Sequence, residues 1–229
     1  MTGICVAAML ALSTCTPSTT EEGISEGVIL YSVTYPTMSK QHAFAHLLPT
    51  QMRYTFKDNL TVSELKSMGV MKTYIISDNE SQELQVAVKF FNDRIASTFE
   101  GNEAAELYDH LGKVEVTREQ GSKVIAGYKC NKVKVVFADA NIPEATLYYT
   151  DDINIEAPNW ATPFNDIPGV LLQYEIIQNG IHMRFVAEKV LMSKVNDEDF
   201  RIPSDYKAVN KAEVLSKMQE ISDTFNELD

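Results

Sequence analysis

The sequence predicts a mainly β (α+β) domain: an antiparallel sheet accompanied by a few helices, one of them amphipathic and C-terminal. Three observations carry this. Short runs with an apolar residue at every second position recur along the chain. Turn-forming residues separate those runs so closely that little room is left for the helical crossovers a parallel sheet needs. Near the end, Val214, Met218, Ile221, Phe225 and Leu228 recur at spacings of four and three, which gives one apolar stripe on a helix.

Taken in order, Ile29, Tyr31, Val33 and Tyr35 alternate onto one face of a first strand, which Pro36 ends. Residues 41–48 are a short helical candidate carrying Phe44, Leu47 and Leu48. Met52, Tyr54 and Phe56 alternate against Arg53, Thr55 and Lys57 in a half-buried strand. Further strands are expected over 70–77 and 84–91; in the latter Leu84, Val86, Val88 and Phe90 share a face. A second helix is expected over 102–111, capped by Asn102 and stopped by Gly112. Short β runs follow at 114–118, 123–128, 131–137 and 145–150. A loop rich in turn formers, 151–169, holds Pro158, Pro163, Pro168 and the single tryptophan, Trp160. Residues 170–177 and 181–190 form the clearest hairpin, turned at Gln178-Asn179-Gly180. Val170, Leu172, Tyr174 and Ile176 alternate in one strand; Ile181, Met183, Phe185 and Ala187 in the other. No linker interrupts residues 26–229, so they are read as one domain.

Ahead of that domain, residues 3–12 read GICVAAMLAL, an uncharged apolar run. It is shorter than the ~20 residues that span a bilayer and matches the hydrophobic region of a signal peptide. Leu12-Ser13-Thr14-Cys15 resembles the lipobox of bacterial lipoproteins, although Thr14 stands where Gly, Ala or Ser is usual and no basic n-region precedes. The expected organisation is a signal peptide over 1–14, a lipid-bearing Cys15, and a polar tether over 15–25. The membrane, reached through that anchor, is then a partner, and the address is the bacterial cell envelope on the periplasmic or outer-membrane side. The formal net charge is −12, and the first charged residue is Glu21. An acidic domain repels polyanions, which disfavours nucleic acid as a partner. The three cysteines, Cys5, Cys15 and Cys130, show no metal-ligand or redox spacing. Cys130 is expected to be an unpaired, buried small hydrophobe.

Several stretches resemble the GLPGLI family and its relatives, envelope proteins of the Bacteroidetes group. They are Gly27-Val28-Ile29-Leu30-Tyr31; Ile125-Ala126-Gly127-Tyr128-Lys129-Cys130-Asn131-Lys132; Leu147-Tyr148-Tyr149-Thr150; Ile167-Pro168-Gly169-Val170-Leu171-Leu172; and Phe200-Arg201-Ile202-Pro203-Ser204-Asp205-Tyr206. Ile167 and Val170 stand where the motif that names the family has leucines. The resemblance implies a fold similar to periplasmic lipoprotein carriers and receptors: a strongly curved, half-barrel-like antiparallel sheet with helices plugging its concave face. It supplies no catalytic residues.

Few residues point to chemistry. His42 and His46 would share a helix face as metal-binding pairs do, but no third ligand is placed beside them, so no metal is expected. Glu21-Glu22, Asp151-Asp152 and Asp197-Glu198-Asp199 read as solvated acids in turns rather than an acid–base pair. Arg118, Lys123, Lys129, Lys132 and Lys134 make a basic stretch; lysines on an edge strand that discourage pairing explain it better than a docking patch does. Trp160 and Phe164 either cover an apolar cavity or anchor their loop. The nucleophile elbow, the zinc helix motif and phosphate-binding glycine loops are absent.

The expectation is therefore a non-enzymatic envelope lipoprotein, without a cofactor, that binds or carries a lipid-like ligand; an envelope scaffold with a filled core is the alternative. Ile29, Tyr31, Val33, Leu84, Val86, Val88, Leu172, Tyr174, Met183 and Phe185 are the expected cavity wall, because alternation gives each of their strands one apolar face. An apolar space of about 300 Å³ or more would favour the carrier reading. For the anchor, Cys15→Ser is expected to move the protein from the membrane to the soluble fraction on cell fractionation; unchanged membrane association would refute the lipidation of Cys15.

Overall fold

The computed structural model describes residues 25–38 and 45–226. Cys5, Cys15, the leader, nearly all of the tether, His42, Phe44 and Leu228 lie outside the described residues. The strands are β1 (Glu26–Thr34), β2 (Gln51–Lys57), β3 (Leu60–Ser67), β4 (Met71–Asp78), β5 (Glu83–Phe90), β6 (Asp93–Glu100), β7 (Val114–Ile125), β8 (Tyr128–Phe137), β9 (Ala145–Thr150), β10 (Val170–Gln178), β11 (Ile181–Met192) and β12 (Lys207–Ala208). The α-helix α1 spans Lys211–Asn226, and 3-10 helices span Ala45–Leu47, Gly101–Leu111 and Asp197–Phe200.

The twelve strands of the described residues join one open, curved sheet in the order β12-β6-β5-β4-β3-β2-β1-β11-β10-β9-β8-β7. Its logic is simple. β1 to β6 form one up-and-down meander and β7 to β11 another, and the antiparallel β1–β11 pair welds them. β12 adds a short parallel strand outside β6.

Turn chemistry makes the meanders local. The β2–β3, β7–β8 and β10–β11 connections are tight hairpins over Asp58-Asn59, Ala126-Gly127 and Asn179-Gly180. Asp58, Ala126 and Asn179 take positive φ (51°, 50° and 48°), as the strand twist demands of such turns.

Besides the two-residue β12, two strands, β3 and β6, are absent from the sequence expectation. Neither has an unbroken apolar face: β3 alternates Thr61, Ser63 and Leu65 against Val62 and Glu64, and Ser97 interrupts Ile95 and Phe99 in β6. The two runs expected over 114–118 and 123–128 are mostly one strand, β7, whose register shifts between Arg118 and Ser122; Gly121 sits in that break with φ 114°. The helix expected over 102–111 is a 3-10 helix. Glu100 rather than Asn102 opens it, donating its backbone N–H to Glu103 Oε2 at 2.9 Å. Gly112 closes it as expected, with φ 61° and its N–H donated to the Asp109 carbonyl. Of the candidate helix at 41–48, the described part is the 3-10 turn Ala45–Leu47.

Apolar side chains sort into two main clusters. One lies between β1, β2 and the β7–β11 meander, with Ile29, Phe56, Val135, Leu147, Phe164 and Leu172 among its buried members. The other lies under α1 and the helix at 101–111, with Val86, Val88, Phe99, Leu107, Val214 and Phe225. α1 packs across β5 and β6, burying Val214, Ile221 and Phe225 as the stripe predicts.

Cys130 is free, fully buried in the first cluster, and its thiol is pushed up to about 11, by burial above all. Raising a thiol pKa lowers the reactive thiolate. In the full chain with Cys5→Ser and Cys15→Ser, native Cys130 is expected to react with a thiol reagent at pH 8 about a hundred-fold more slowly than an exposed thiol. One thiol per chain should appear on denaturation. Fast native labelling, or a covalent dimer under non-reducing conditions, would count against this.

Candidate functional site: a cavity on the concave face

α1, the helix at 101–111 and the loop at 151–169 do not fill the concave face. Between them and the inner faces of β1–β5, β10 and β11 lies a partly open cavity of about 240 Å³. That is far more than the roughly 10–15 Å³ one water needs. It is slightly less than the roughly 300 Å³ at which ordinary ligand pockets begin.

Five of the ten expected wall residues line it: Tyr31, Leu84, Tyr174, Met183 and Phe185. The other five, Ile29, Val33, Val86, Val88 and Leu172, are buried in the core and do not. Each has a local reason. Val86 and Val88 belong to the cluster that α1 shares with β5. Ile29 and Val33 pack into the cluster of the other meander. The β9–β10 register shifts between Leu171 and Gln173, so Leu171 rather than Leu172 meets the cavity.

Alternation did not point to several lining residues. Thr61, Ser63 and Leu65 come from the unexpected strand β3, and Thr73 and Ser77 from the inner face of β4. Tyr108, Met218 and Phe225 come from the covering helices. Met52 and Tyr54 were legible as a strand face but not as wall.

Among the described residues, the wall contains no Asp, Glu, Lys, Arg or His. Its tyrosines stay neutral, because burial penalises the phenolate. Burial pushes Tyr54 and Tyr108 up to about 12, and raises Tyr31, Tyr35 and Tyr174 as well. Tyr31 donates its hydroxyl to the Leu171 carbonyl at 2.8 Å, and Tyr35 to the Pro49 carbonyl at 2.7 Å. The Tyr174 and Phe185 rings stack at 4.7 Å, and Tyr31 meets Tyr174 edge-on at 6.1 Å.

The loop at 151–169 closes one end. Trp160 both anchors the loop and lines the cavity: its indole N–H donates to Ser77 Oγ at 2.8 Å and Asn79 Oδ1 at 3.0 Å. Buried Asn159 donates its amide to the Ile167 and Gly169 carbonyls at 2.8 and 2.9 Å. Gly169 has no space for a side chain, since a Cβ would lie 2.4 Å from the Thr150 carbonyl oxygen. Gly27 is similar, with the Leu191 carbonyl oxygen 2.5 Å from its would-be Cβ. Two of the three glycines of the family-like stretches, Gly27 and Gly169, thus answer to close backbone approach; Gly127 instead takes φ 91° in the β7–β8 turn.

The remaining candidates lie outside the cavity. Lys132 pairs with Glu119 and Lys134 with Glu144, each at 2.6 Å, and Lys123 donates to Gln173 at 2.8 Å, beside the edge strand β7. Asp151 and Asp152 are exposed, Asp151 accepting from Asn131 at 3.1 Å. Asp197 pairs with Lys57 at 2.7 Å and Glu198 with Arg201 at 2.8 Å. Glu21-Glu22 lie outside the described residues, and His46 is exposed. Among the described residues, no three His, Cys, Asp or Glu side chains are grouped to hold a metal ion. The sequence did not single out His182, which is buried on the outer side of β11 with Nε2 2.7 Å from Glu175. Glu175 also binds Arg184, bracing the hairpin.

No family model and no curated protein matches the chain. Among solved structures, it is similar to PNGF-II in one crystal form, at 14% identity and a TM-score of 0.52, over 86% of this chain and 33% of that one. A second crystal form of PNGF-II gives 14%, 0.49, 83% and 33%. The chain thus spans about a third of PNGF-II, and at this identity the likeness concerns the fold alone. A Vibrio parahaemolyticus domain described as outer membrane lipoprotein-sorting aligns over 85% of this chain and 92% of its own, at 9% identity. Its TM-score of 0.22 carries no argument.

Gly169→Ala is expected to destabilise the domain by about 1–3 kcal/mol, the usual cost of forcing atoms into a packed site. Chemical denaturation with an unchanged slope measures it. A stability change within error would show that the loop gives way.

Proposed function

We propose that this chain is a non-enzymatic bacterial envelope lipoprotein whose cavity holds a lipid-like ligand. One observation carries the reading: an uncharged, aromatic-rich space survives behind α1 and the 151–169 loop in a chain of net charge −12. Apolar ligands gain roughly 0.8 kcal/mol per buried CH₂ without any charged contact. The modest volume favours one slender chain over a bulky ligand. The envelope address rests on the leader, the near-lipobox at Cys15 and the resemblance to the GLPGLI family. The envelope-scaffold reading is favoured by the same modest volume, and it prevails if the cavity takes no ligand.

Trp160, the single tryptophan, lines the cavity and serves as an internal reporter. Titration with a fluorescent fatty acid is expected to change Trp160 emission saturably. Ser63→Phe, which fills space beside β3, should weaken that binding about tenfold or more while the circular dichroism stays unchanged. Tyr31→Asp, which places a charge in the wall, should abolish it in a chain that still folds. Absence of binding by the unmutated chain would replace the carrier reading with the scaffold reading.

A further inference from the structure

The end of the sheet opposite the 151–169 loop has an unusual surface. The β3–β4 turn presents Met68, 83% exposed, and the β5–β6 turn presents Phe91, 59% exposed. Both residues hold positive φ, 32° and 50°, a region that disfavours bulky side chains. Tight turns impose that backbone, but they favour Asn, Asp or Gly there; a large apolar side chain left in water at both tips marks a surface shaped for something other than folding. The two turns form one unit: the Phe91 N–H donates to the Val70 carbonyl at 2.8 Å, and Lys89 Nζ to the Gly69 carbonyl at 2.9 Å.

Just behind these tips runs a row of cations. Lys66 pairs across strands with Lys72, Lys72 with Lys89, and Lys89 with Arg94. The neighbouring register row includes Leu65 and Thr73, which line the cavity, so the cationic row lies on the outer face. Like charges directly opposite one another destabilise a sheet. Acids offset the row only in part: Glu64 reaches Lys72 at 2.9 Å and Lys66 at 3.8 Å, and Asp205 reaches Arg94 at 3.1 Å. In a chain of net charge −12, such a row directly behind apolar tips is a local reversal of sign.

We propose that this end of the sheet docks on an anionic lipid surface, with Met68 and Phe91 entering the interface and Lys66, Lys72, Lys89 and Arg94 facing the headgroup phosphates. Apolar tips backed by lysine and arginine are the chemistry an anionic bilayer recognises. Met71 of the cavity wall follows directly on the Met68 turn, so docking here would bring the cavity towards the bilayer. The proposal does not depend on what fills the cavity.

The test uses the full chain with Cys5→Ser and Cys15→Ser, so that no acyl anchor contributes. An environment-sensitive fluorophore is attached at Phe91→Cys or, at the opposite end of the sheet, at Glu80→Cys. With vesicles of phosphatidylglycerol and phosphatidylcholine in equal parts, the label at 91 is expected to shift to the blue and be quenched by nitroxide-bearing acyl chains. The label at 80 should do neither. Lys66→Glu with Lys89→Glu should raise the lipid concentration for half-response about tenfold. Ser63→Phe should leave the response intact, which separates this result from the fate of the cavity reading. No response at 91, an equal response at 80, or an equal response to pure phosphatidylcholine would overturn the proposal.

Discussion

The architecture depends on one pairing, β1 with β11. Every other antiparallel neighbour in the sheet is also a neighbour in sequence, joined by short connections except between β1 and β2 and across the 151–169 loop between β9 and β10. The β1–β11 ladder, from Gly27 opposite Met192 to Thr34 opposite Arg184, joins segments from opposite ends of the domain. Such a contact comes late in assembly because it closes a long loop. Two details show how tight it is. Gly27 leaves no room for a Cβ against the Leu191 carbonyl, and Tyr31 reaches past β11 to the Leu171 carbonyl of β10. Without this pairing there would be two separate sheets and no common concave face.

A shared concave face creates the cavity, because its coverings do not fill it. α1 lies over β5 and β6, where its apolar stripe is satisfied. The 151–169 loop is tied to β4 by Trp160 and to its own return by Asn159. Tyrosines help to wall that space: the Tyr31 and Tyr35 hydroxyls bond to backbone carbonyls and that of Tyr174 meets the Met52 sulfur, so among the described residues little buried polarity goes unmet. Charges are kept to the outside, in exposed pairs such as Lys57–Asp197 and Lys134–Glu144. Exposed pairs of this kind contribute about 0–1 kcal/mol each. The acidity of the chain is therefore a surface property, and the cavity is chemically a different place.

Similarity to part of PNGF-II extends this reading only as far as architecture. A curved sheet can carry many functions, and function resides in the residues placed on it. In this chain those residues are a neutral aromatic wall inside and, at one rim, apolar tips backed by cations.

The sequence by itself determined what depends on neighbours a few residues apart. Period-two alternation and Asn-Gly turn chemistry located β9 and the β10–β11 hairpin almost to the residue, and the spacing of Val214, Ile221 and Phe225 identified the buried face of α1. It failed at β3, whose inward Thr61, Ser63 and Leu65 face the cavity rather than a packed core, and at β6, where Ser97 interrupts the apolar face that α1 covers. The same limit split the ten expected wall residues in half. Alternation tells which face of a strand is apolar; whether that face is covered by α1, buried against the other meander or left facing open space depends on contacts more than a hundred residues apart, such as Tyr31 with Leu171, and only the tertiary structure decides that.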